Sequence, residues 1–471
     1  MRHTKFALAL LAAATLAACG GGESTGGDQS LKQKYTQQVS FGDSLSDVGS
    51  YNVGAVTQLG GGKFTINGDS TSKDPALTGK IWLELMAAQF GLPAPCAAQT
   101  GLQGDATKGL NVPVVFNNNC YAYAMGGSRV TNPVGPNSAA AGGTLGALTV
   151  PVSTQIANHL AKSGGKFSGT EIVFVMAGGN DALALLGALQ AGATAAGQKA
   201  GAAEGAKVGA QTFVTTLATL LGAGATNPAA ATQAIAVAMG AEAQRSGSTN
   251  ETIVGVGVAT AAAQAGNQAI AQPVVYGPLV VQAQATAKTA GEKAGAAAGQ
   301  KAGAEYAAAN GPALIPQMAT AGTQLADLVK NQIVAKGATH VVVNNLPDLG
   351  NSPAAKAKDP TTQQLILAMV DAFNNALKAG VSNDAKIMYI DLWAISHDQI
   401  TNPAPYGLTN TSTPACGTNV LGGSSLVCNA SNLAAGDVSH YMFADDVHAT
   451  PFENLLIARY VSEQMVVRGW L

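Results

Sequence analysis

Charged side chains are scarce in this sequence: they occupy 11% of its 471 positions, and the two signs nearly cancel to a formal net charge of −2. Domains that bind nucleic acid carry a marked excess of Lys and Arg, so we expect no nucleic-acid partner. Long apolar runs are scarce too. The run at residues 6–18 is too short to cross a bilayer as a helix. The uncharged stretch 252–287 contains Gln, Asn and Pro residues, which disfavour a membrane span.

Cysteine and histidine are also few, with five and six residues, and their spacing matches no zinc-binding pattern. We therefore expect no metal and no other cofactor. One cysteine ends the segment Leu16-Ala17-Ala18-Cys19, directly after the apolar run and the basic residues Arg2 and Lys5. A basic start followed by a short apolar run is typical of an export signal. The segment that ends in Cys19 is similar to a bacterial lipobox, in which the cysteine is lipidated.

The start of the chain is thus predicted to consist of a signal peptide at 1–18 and a Gly/Ser-rich, lipid-anchored tether at 19–36. We expect the protein in a bacterial cell envelope, held to the outer membrane by a lipid on Cys19. The alternative is a plain secretory signal that is cleaved near Ala18 and releases a secreted protein.

Four cysteines remain, and an exported chain favours two disulfides among them. Of the three possible pairings, we predict the local one, Cys96 with Cys120 and Cys416 with Cys428, because each pair flanks a loop-rich segment. Free buried thiols are the alternative.

Five short apolar runs are typical of buried parallel strands; they lie at 38–41, 112–116, 172–176, 340–344 and 387–391. Amphipathic helical patterns separate or follow them, at 80–90, 153–162, 318–335, 361–379 and 454–467. Alternation of strands and helices predicts an α/β fold with a doubly wound, flavodoxin-like, three-layer parallel sheet. This α/β domain would comprise residues 37–185 and 313–471.

Residues 186–312 differ from the flanking sequence, being rich in Ala and Gly and poor in charge. The stretches 199–205 and 293–299 are near copies of each other. Because alanine favours helix and small side chains permit close contact between helices, we predict helical hairpins inserted between the third and fourth strands. The insertion could act as a lid or docking element, or be a partly disordered surface segment.

A candidate nucleophile follows the first predicted strand. In Gly42-Asp43-Ser44-Leu45, glycine permits a sharp turn that exposes the Ser44 hydroxyl and nearby backbone N–H groups. Two similar segments lack a preceding strand: the Gly-x-Ser-x-Gly pattern at 22–26 and the repeat Gly68-Asp69-Ser70-Thr71. We therefore predict Ser44.

A serine nucleophile needs a base, which we predict to be a histidine near the end of the chain. The histidines are His3, His159, His340, His397, His440 and His448. His448 has a carboxylate three residues earlier, Asp445, that can reach Nδ1 while Nε2 faces Ser44. Asp446 is the alternative orienting group.

An oxyanion formed at Ser44 needs hydrogen-bond donors. Asn180, which follows the third strand, can offer its side-chain amide, and the backbone N–H groups of Ser44 and Gly127 can complete the hole. Taken alone, Gly179-Asn180-Asp181 would also fit an ordinary turn.

Together, these segments resemble the GDSL, or SGNH, serine hydrolases of the lipase and esterase type. The blocks that carry the resemblance are Gly42–Leu45, 124–127, 179–181 and 445–448. The resemblance implies catalytic roles for Ser44, Asp445 and His448 and an oxyanion hole of Ser44, Gly127 and Asn180. Where this family's second block begins with asparagine, the chain has Ala122, so Gly126 is the alternative to Gly127. The insertion is not part of the pattern.

The resulting prediction is a serine ester hydrolase that acts on acyl or lipid esters through an acyl-serine intermediate. An acyltransferase would share that intermediate and use an alcohol in place of water. A non-catalytic surface binding lipoprotein on a hydrolase fold is the alternative of another class.

Overall fold

The computed structural model describes residues 33–68 and 77–471. These residues form two compact units, one comprising the chain up to Leu186 together with Ala313–Leu471, and the other comprising Gly187–Pro312. The predicted signal peptide, residues 19–32 of the tether with Cys19, and the serine pattern at 22–26 lie outside the described residues. So does most of the repeat at 68–71.

The first unit is a mixed α/β structure around a parallel sheet. The strands of the described chain are β1 (Gln38–Gly42), β2 (Gln99–Gln103), β3 (Asn111–Phe116), β4 (Ile172–Met176), β5 (Val341–Asn344) and β6 (Ile387–Ile390). Four of them form the sheet in the order β1-β4-β5-β6, and every pair is parallel. Their apolar, β-branched residues suit strands covered on both faces. The α/β class and the parallel sheet agree with the prediction, while the doubly wound, three-layer arrangement stays a prediction.

The prediction that residues 112–116 form a strand of the parallel sheet is wrong. Residues 112–116 do form a strand, but β3 pairs antiparallel with β2 in a separate two-stranded sheet, and Val115 and Phe116 are exposed. The apolar run could not by itself distinguish a buried parallel strand from a hairpin strand.

A different segment, 121–125, lies beside β1. The N–H of Tyr123 donates to the carbonyl of Ser40 at 2.8 Å, and the N–H of Met125 donates to that of Gly42 at 3.2 Å. This pairing brings Gly126 and Gly127 to the carboxyl end of β1, next to Ser44.

Helices fill most of the remaining described chain. They are α1 (Gly54–Gln58), α2 (Trp82–Gln89), α3 (Val152–Lys162), α4 (Gly179–Gly222), α5 (Pro228–Ala243), α6 (Asn250–Ala262), α7 (Pro273–Asn310), α8 (Leu314–Leu328), α9 (Pro353–Lys356), α10 (Pro360–Val381), α11 (Leu392–Thr401) and α12 (Pro451–Arg468). None of the helices in the described part is both long and apolar enough to cross a membrane.

An aromatic and aliphatic core covers β4. Phe174 of β4 packs edge-on against Trp82 of α2, with ring centroids 5.2 Å apart, and Val461 and Met465 of α12 join the same cluster. Burying each such side chain contributes about 1.5–3 kcal/mol. The indole N–H of Trp82 also donates to the carbonyl of Leu45 at 3.0 Å, which ties this core to the turn after Ser44.

Both predicted disulfide pairings are present, Cys96 with Cys120 and Cys416 with Cys428. They close loops whose ends are 24 and 12 residues apart. Closing a loop removes conformational freedom from the unfolded chain, so both bonds favour the folded state.

The Gly187–Pro312 unit is built from α4 to α7. Glycines on α4 and α7 meet in antiparallel register: a Cβ added to Gly201 would lie 2.7 Å from the carbonyl oxygen of Gly295, and the reverse substitution would be equally close. Phe213 and Leu217 of α4 and Ile235 and Met239 of α5 belong to its apolar core.

Candidate active site

Ser44 lies where the buried strand β1 ends. Gly42 is required there, because a Cβ would lie 2.1 Å from the carbonyl oxygen of Met176. The side-chain amide of Gln155 holds Gly42 from α3, accepting its N–H and donating to its carbonyl, each at 2.8 Å. Ser44 then begins a single 3₁₀ turn in which Asp43 accepts the N–H of Leu45 at 3.1 Å. The serine is thus held on a short, well-anchored turn.

The structure brings Ser44, His448 and Asp445 into one hydrogen-bonded chain. The Oγ of Ser44 lies 2.8 Å from Nε2 of His448, and Nδ1 of His448 lies 2.8 Å from both carboxylate oxygens of Asp445. This is the arrangement in which a carboxylate orients an imidazole and the imidazole can accept a proton from a serine.

Backbone groups fix the Asp445 carboxylate. Its Oδ1 accepts the N–H groups of Val447 and His448, and its Oδ2 accepts that of Ser425 at 2.7 Å. The side chain of Asp446 is exposed, and its carbonyl accepts the N–H of Ala354. Geometry therefore favours Asp445 as the orienting group.

The other described histidines have partners elsewhere. His159 is buried between aromatic rings, with Phe167 at 4.5 Å, and burial lowers its pKa to about 4. His340 packs against Trp470, His397 bonds to Asp348, and His440 bonds to the carbonyl of Gly407.

The surroundings of His448 favour its protonated form. Burial alone would disfavour the imidazolium, but the negative charge of Asp445 and its hydrogen bond raise the pKa of His448 above its ordinary value. Burial likewise opposes ionisation of Asp445, yet His448 and the bond from Ser425 lower the pKa of Asp445 below its ordinary value. Burial raises the pKa of Asp43, next to the serine, to about 7.

Asn180 and Gly127 lie at the same edge as Ser44. Asn180 is in the first turn of α4, and its Nδ2 donates to the carbonyl of Ser128 at 3.0 Å, which leaves a second amide hydrogen. Gly127 has φ +79°, a left-handed conformation that suits glycine. Within the described chain, the backbone N–H groups of Ser44 and Gly127 donate to no protein acceptor.

A salt bridge joins the segment after Gly127 to α4. The Nε of Arg129 donates to Asp181 at 2.9 Å, and the backbone N–H of Val130 donates to the other carboxylate oxygen at 3.0 Å. The predicted Gly179-Asn180-Asp181 segment is therefore the anchored first turn of a helix.

Sequence reasoning missed the residues that support this constellation. Gln155 accepts the N–H of Gly42, and Asp47 accepts the N–H of Gly126. The ring centroid of Phe64 lies 4.9 Å from that of His448. Asp47 lies only three residues after Ser44 and could have been noticed there. No motif in the sequence around Gln155 or Phe64 indicates that these residues support the site. The described residues hold no cluster of three or more side chains suited to a metal.

Comparison with known proteins finds similarity to a family of lipases and acylhydrolases. Residues 194–461 match the family model described as GDSL-like Lipase/Acylhydrolase, a span that includes Asp445 and His448 but not Ser44, Gly127 or Asn180. The span also runs across the Ala/Gly-rich segment. The GDSL esterase/lipase APG of Arabidopsis thaliana is 28% identical over 138 residues, which are 27% of this chain and 39% of the relative.

A bacterial protein gives a similar result. Lipase 1 of Photorhabdus luminescens is 31% identical over 124 residues, which are 24% of this chain and 19% of that protein. The matched stretches thus span well under half of either relative.

Proposed function

Since the chain belongs to the GDSL-like lipase and acylhydrolase family, we propose that it is a serine hydrolase that cleaves carboxylic esters through an acyl-serine intermediate. The observation that carries the proposal is the hydrogen-bonded chain from Ser44 through His448 to Asp445. It unites the three residue types that activated-serine chemistry requires, although Ser44 and His448 are 404 residues apart in the chain.

In the proposed reaction, Nε2 of His448 takes the proton of Ser44 as its Oγ attacks the ester carbonyl carbon. The carbonyl oxygen becomes an oxyanion, which the N–H groups of Ser44 and Gly127 and the amide of Asn180 stabilise. His448 then protonates the departing alcohol. Water then attacks the carbonyl carbon of the acyl-serine while His448 takes its proton. The bond to Oγ breaks, His448 returns the proton to Ser44, and the carboxylic acid is released.

The proposed substrates are acyl or lipid esters, because the relatives are named as esterases and lipases. The proposed place is the bacterial cell envelope, where a lipid on Cys19 would hold the protein to a membrane. Labelling with a fatty-acid probe should then mark the wild type and not Cys19→Ser. A labelled, membrane-bound Cys19→Ser variant would contradict the anchor.

The nucleophile is tested with p-nitrophenyl esters of increasing chain length. We expect Ser44→Ala to lose turnover on all of them and to lose labelling by a fluorophosphonate probe. The matched control is Ser46→Ala in the same turn, whose buried hydroxyl has no hydrogen-bond partner among the described residues. That variant should keep both activities. Turnover retained by Ser44→Ala would refute the assignment.

A further inference from the structure

One peptide unit beside Ser44 is held by a buried tyrosine. The hydroxyl of Tyr51, a fully buried residue, donates to the carbonyl oxygen of Gly126 at 2.6 Å. The same peptide unit contains the N–H of Gly127. In a planar trans peptide the C=O and the N–H point in opposite directions, so fixing one fixes the other.

A buried carboxylate holds the preceding peptide. Oδ2 of Asp47 accepts the N–H of Gly126 at 2.9 Å and the hydroxyl of Ser50 at 2.5 Å. Oδ1 accepts the N–H groups of Gly49 and Ser50. Gly126 is therefore bound on both its N–H and its C=O, and it has little freedom to rotate.

A strained residue completes the arrangement. Thr149 has φ +47°, a conformation that β-branched residues rarely adopt. Its N–H donates to the Tyr51 hydroxyl oxygen at 3.3 Å, and its own hydroxyl donates to the carbonyl of Pro133 at 2.9 Å. Its methyl carbon would lie 2.6 Å from a Cβ at Gly127. Such strain persists where the surroundings over-determine it, often at functional sites.

We propose that Tyr51 is a positioning residue of the oxyanion hole, which orients the Gly126–Gly127 peptide so that the Gly127 N–H faces the oxyanion formed at Ser44. The inference rests on the proposed function and deepens it. A hydrogen bond to the carbonyl also polarises the peptide and makes its N–H a stronger donor. Burial and the charge of Asp47 raise the pKa of Tyr51, so the phenol keeps the proton that it donates.

A purely structural role predicts different behaviour. Tyr51 also fills an apolar cluster and packs edge-on against Phe64 at 6.2 Å. Phenylalanine preserves those ring contacts and removes only the hydroxyl. The test is therefore Tyr51→Phe, with Tyr123→Phe as the matched control, because the buried Tyr123 hydroxyl has no partner among the described residues.

The experiment compares an ester with its thionoester, whose sulfur accepts hydrogen bonds weakly and gains little from the oxyanion hole. Losing a whole donor costs about 10²–10³-fold in kcat; a donor that is only misaligned should cost less. We expect Tyr51→Phe to lower kcat on the ester about tenfold with KM nearly unchanged, and to lower the ester-to-thionoester rate ratio by a similar factor. Tyr123→Phe should match the wild type in both.

An unchanged rate ratio in folded Tyr51→Phe would overturn the proposal, even if kcat fell. If that variant does not fold, 3-fluorotyrosine at position 51 keeps the ring and the hydroxyl but strengthens the donor, and the ratio should rise; an unchanged ratio again refutes the role. The Ser44→Ala variant distinguishes failure of the Tyr51 proposal from failure of the proposed function. Turnover by Ser44→Ala would refute the serine mechanism, independently of the results for Tyr51→Phe.

Discussion

At the residue scale, the arrangement of Asp445 and His448 depends on a short turn. The carboxylate accepts the backbone N–H groups of residues two and three positions later and also the imidazole of His448. Those bonds aim the carboxylate at Nδ1 before any substrate arrives, so little reorganisation would accompany the proposed proton transfer.

Replacing Asp445 by Asn should remove that orientation. The amide can donate to Nδ1 and so favour the wrong tautomer of His448, in which Nε2 carries the proton. We expect kcat for a p-nitrophenyl ester to fall about 10³–10⁴-fold with little change in KM. The control is Asp446→Asn, which alters an exposed carboxylate and should change kcat less than twofold. A crippled Asp446→Asn would exchange the two roles.

A second carboxyl, Glu453 in the first turn of α12, predicts a pH dependence of stability. It is buried, its Oε2 has no partner among the described residues, and burial raises its pKa well above its ordinary value of 4.5. The folded state therefore keeps a proton that the unfolded state releases above that value. Folding stability should thus fall as pH rises beyond about 5.

Glu453→Gln should remove this dependence, because the amide stays neutral at every pH. In urea unfolding we expect the free energy of unfolding of the variant to decline less between pH 5 and pH 8 than that of the wild type. Below about pH 4, where the side chain at position 453 is neutral in the folded and the unfolded state of both proteins, their free energies of unfolding should be similar. Parallel pH profiles would show that Glu453 is ionised in the folded state.

At the element scale, the pairing of α4 with α7 depends on glycine. The helices approach so closely that a methyl group at Gly201 would overlap the carbonyl oxygen of Gly295, whereas one at Gly240 of α5 would meet no described atom within 4 Å. Alanine otherwise stabilises a helix interior by roughly 0.5–1 kcal/mol relative to glycine. The two positions therefore make a matched pair.

We expect Gly240→Ala to stabilise the protein slightly and Gly201→Ala to destabilise it by about 1–3 kcal/mol, the usual cost of overpacking. Hydrogen exchange followed by mass spectrometry should report faster exchange in α4 and α7 of Gly201→Ala alone. Equal protection from exchange in α4 and α7 of both variants would mean that the two helices can move apart at position 201 without loss of stability.

At the scale of the whole molecule, the insertion is a compact unit of its own, Gly187–Pro312. The unit outside Gly187–Pro312 contains all strands of the described chain together with Ser44, Asp445 and His448. Asn180 lies in the first turn of α4, before the boundary at Leu186. Val274 and Val281 of the insertion are exposed apolar side chains.

Replacing residues 187–312 with a Gly/Ser linker should leave a folded protein that hydrolyses short soluble esters at nearly the wild-type rate. Activity on long-chain or aggregated esters should fall, as expected of a lid or docking element. A linker variant with wild-type activity on both substrate classes would indicate a passive surface insertion. Equal loss on both would indicate that the insertion is part of the site.

The amino-acid sequence by itself determined the features that short-range chemistry encodes. A glycine turn after an apolar strand indicated Ser44, a three-residue spacing put the Asp445 carboxylate within reach of His448, and the Ala/Gly repeats indicated helices. Each of these depends on neighbours in the chain, so local periodicity and side-chain reach are sufficient.

Tertiary structure alone decided which segment lies beside β1, because 112–116 and 121–125 can both be extended and only packing chooses between them. It also decided the support of the site. Gln155 is 113 residues from Gly42, and Tyr51 is 75 residues from Gly126. Hydrogen bonds across such separations leave no periodic pattern in the sequence. They form only when the chain has closed the intervening loops, and the polar groups buried at that stage must find hydrogen-bond partners.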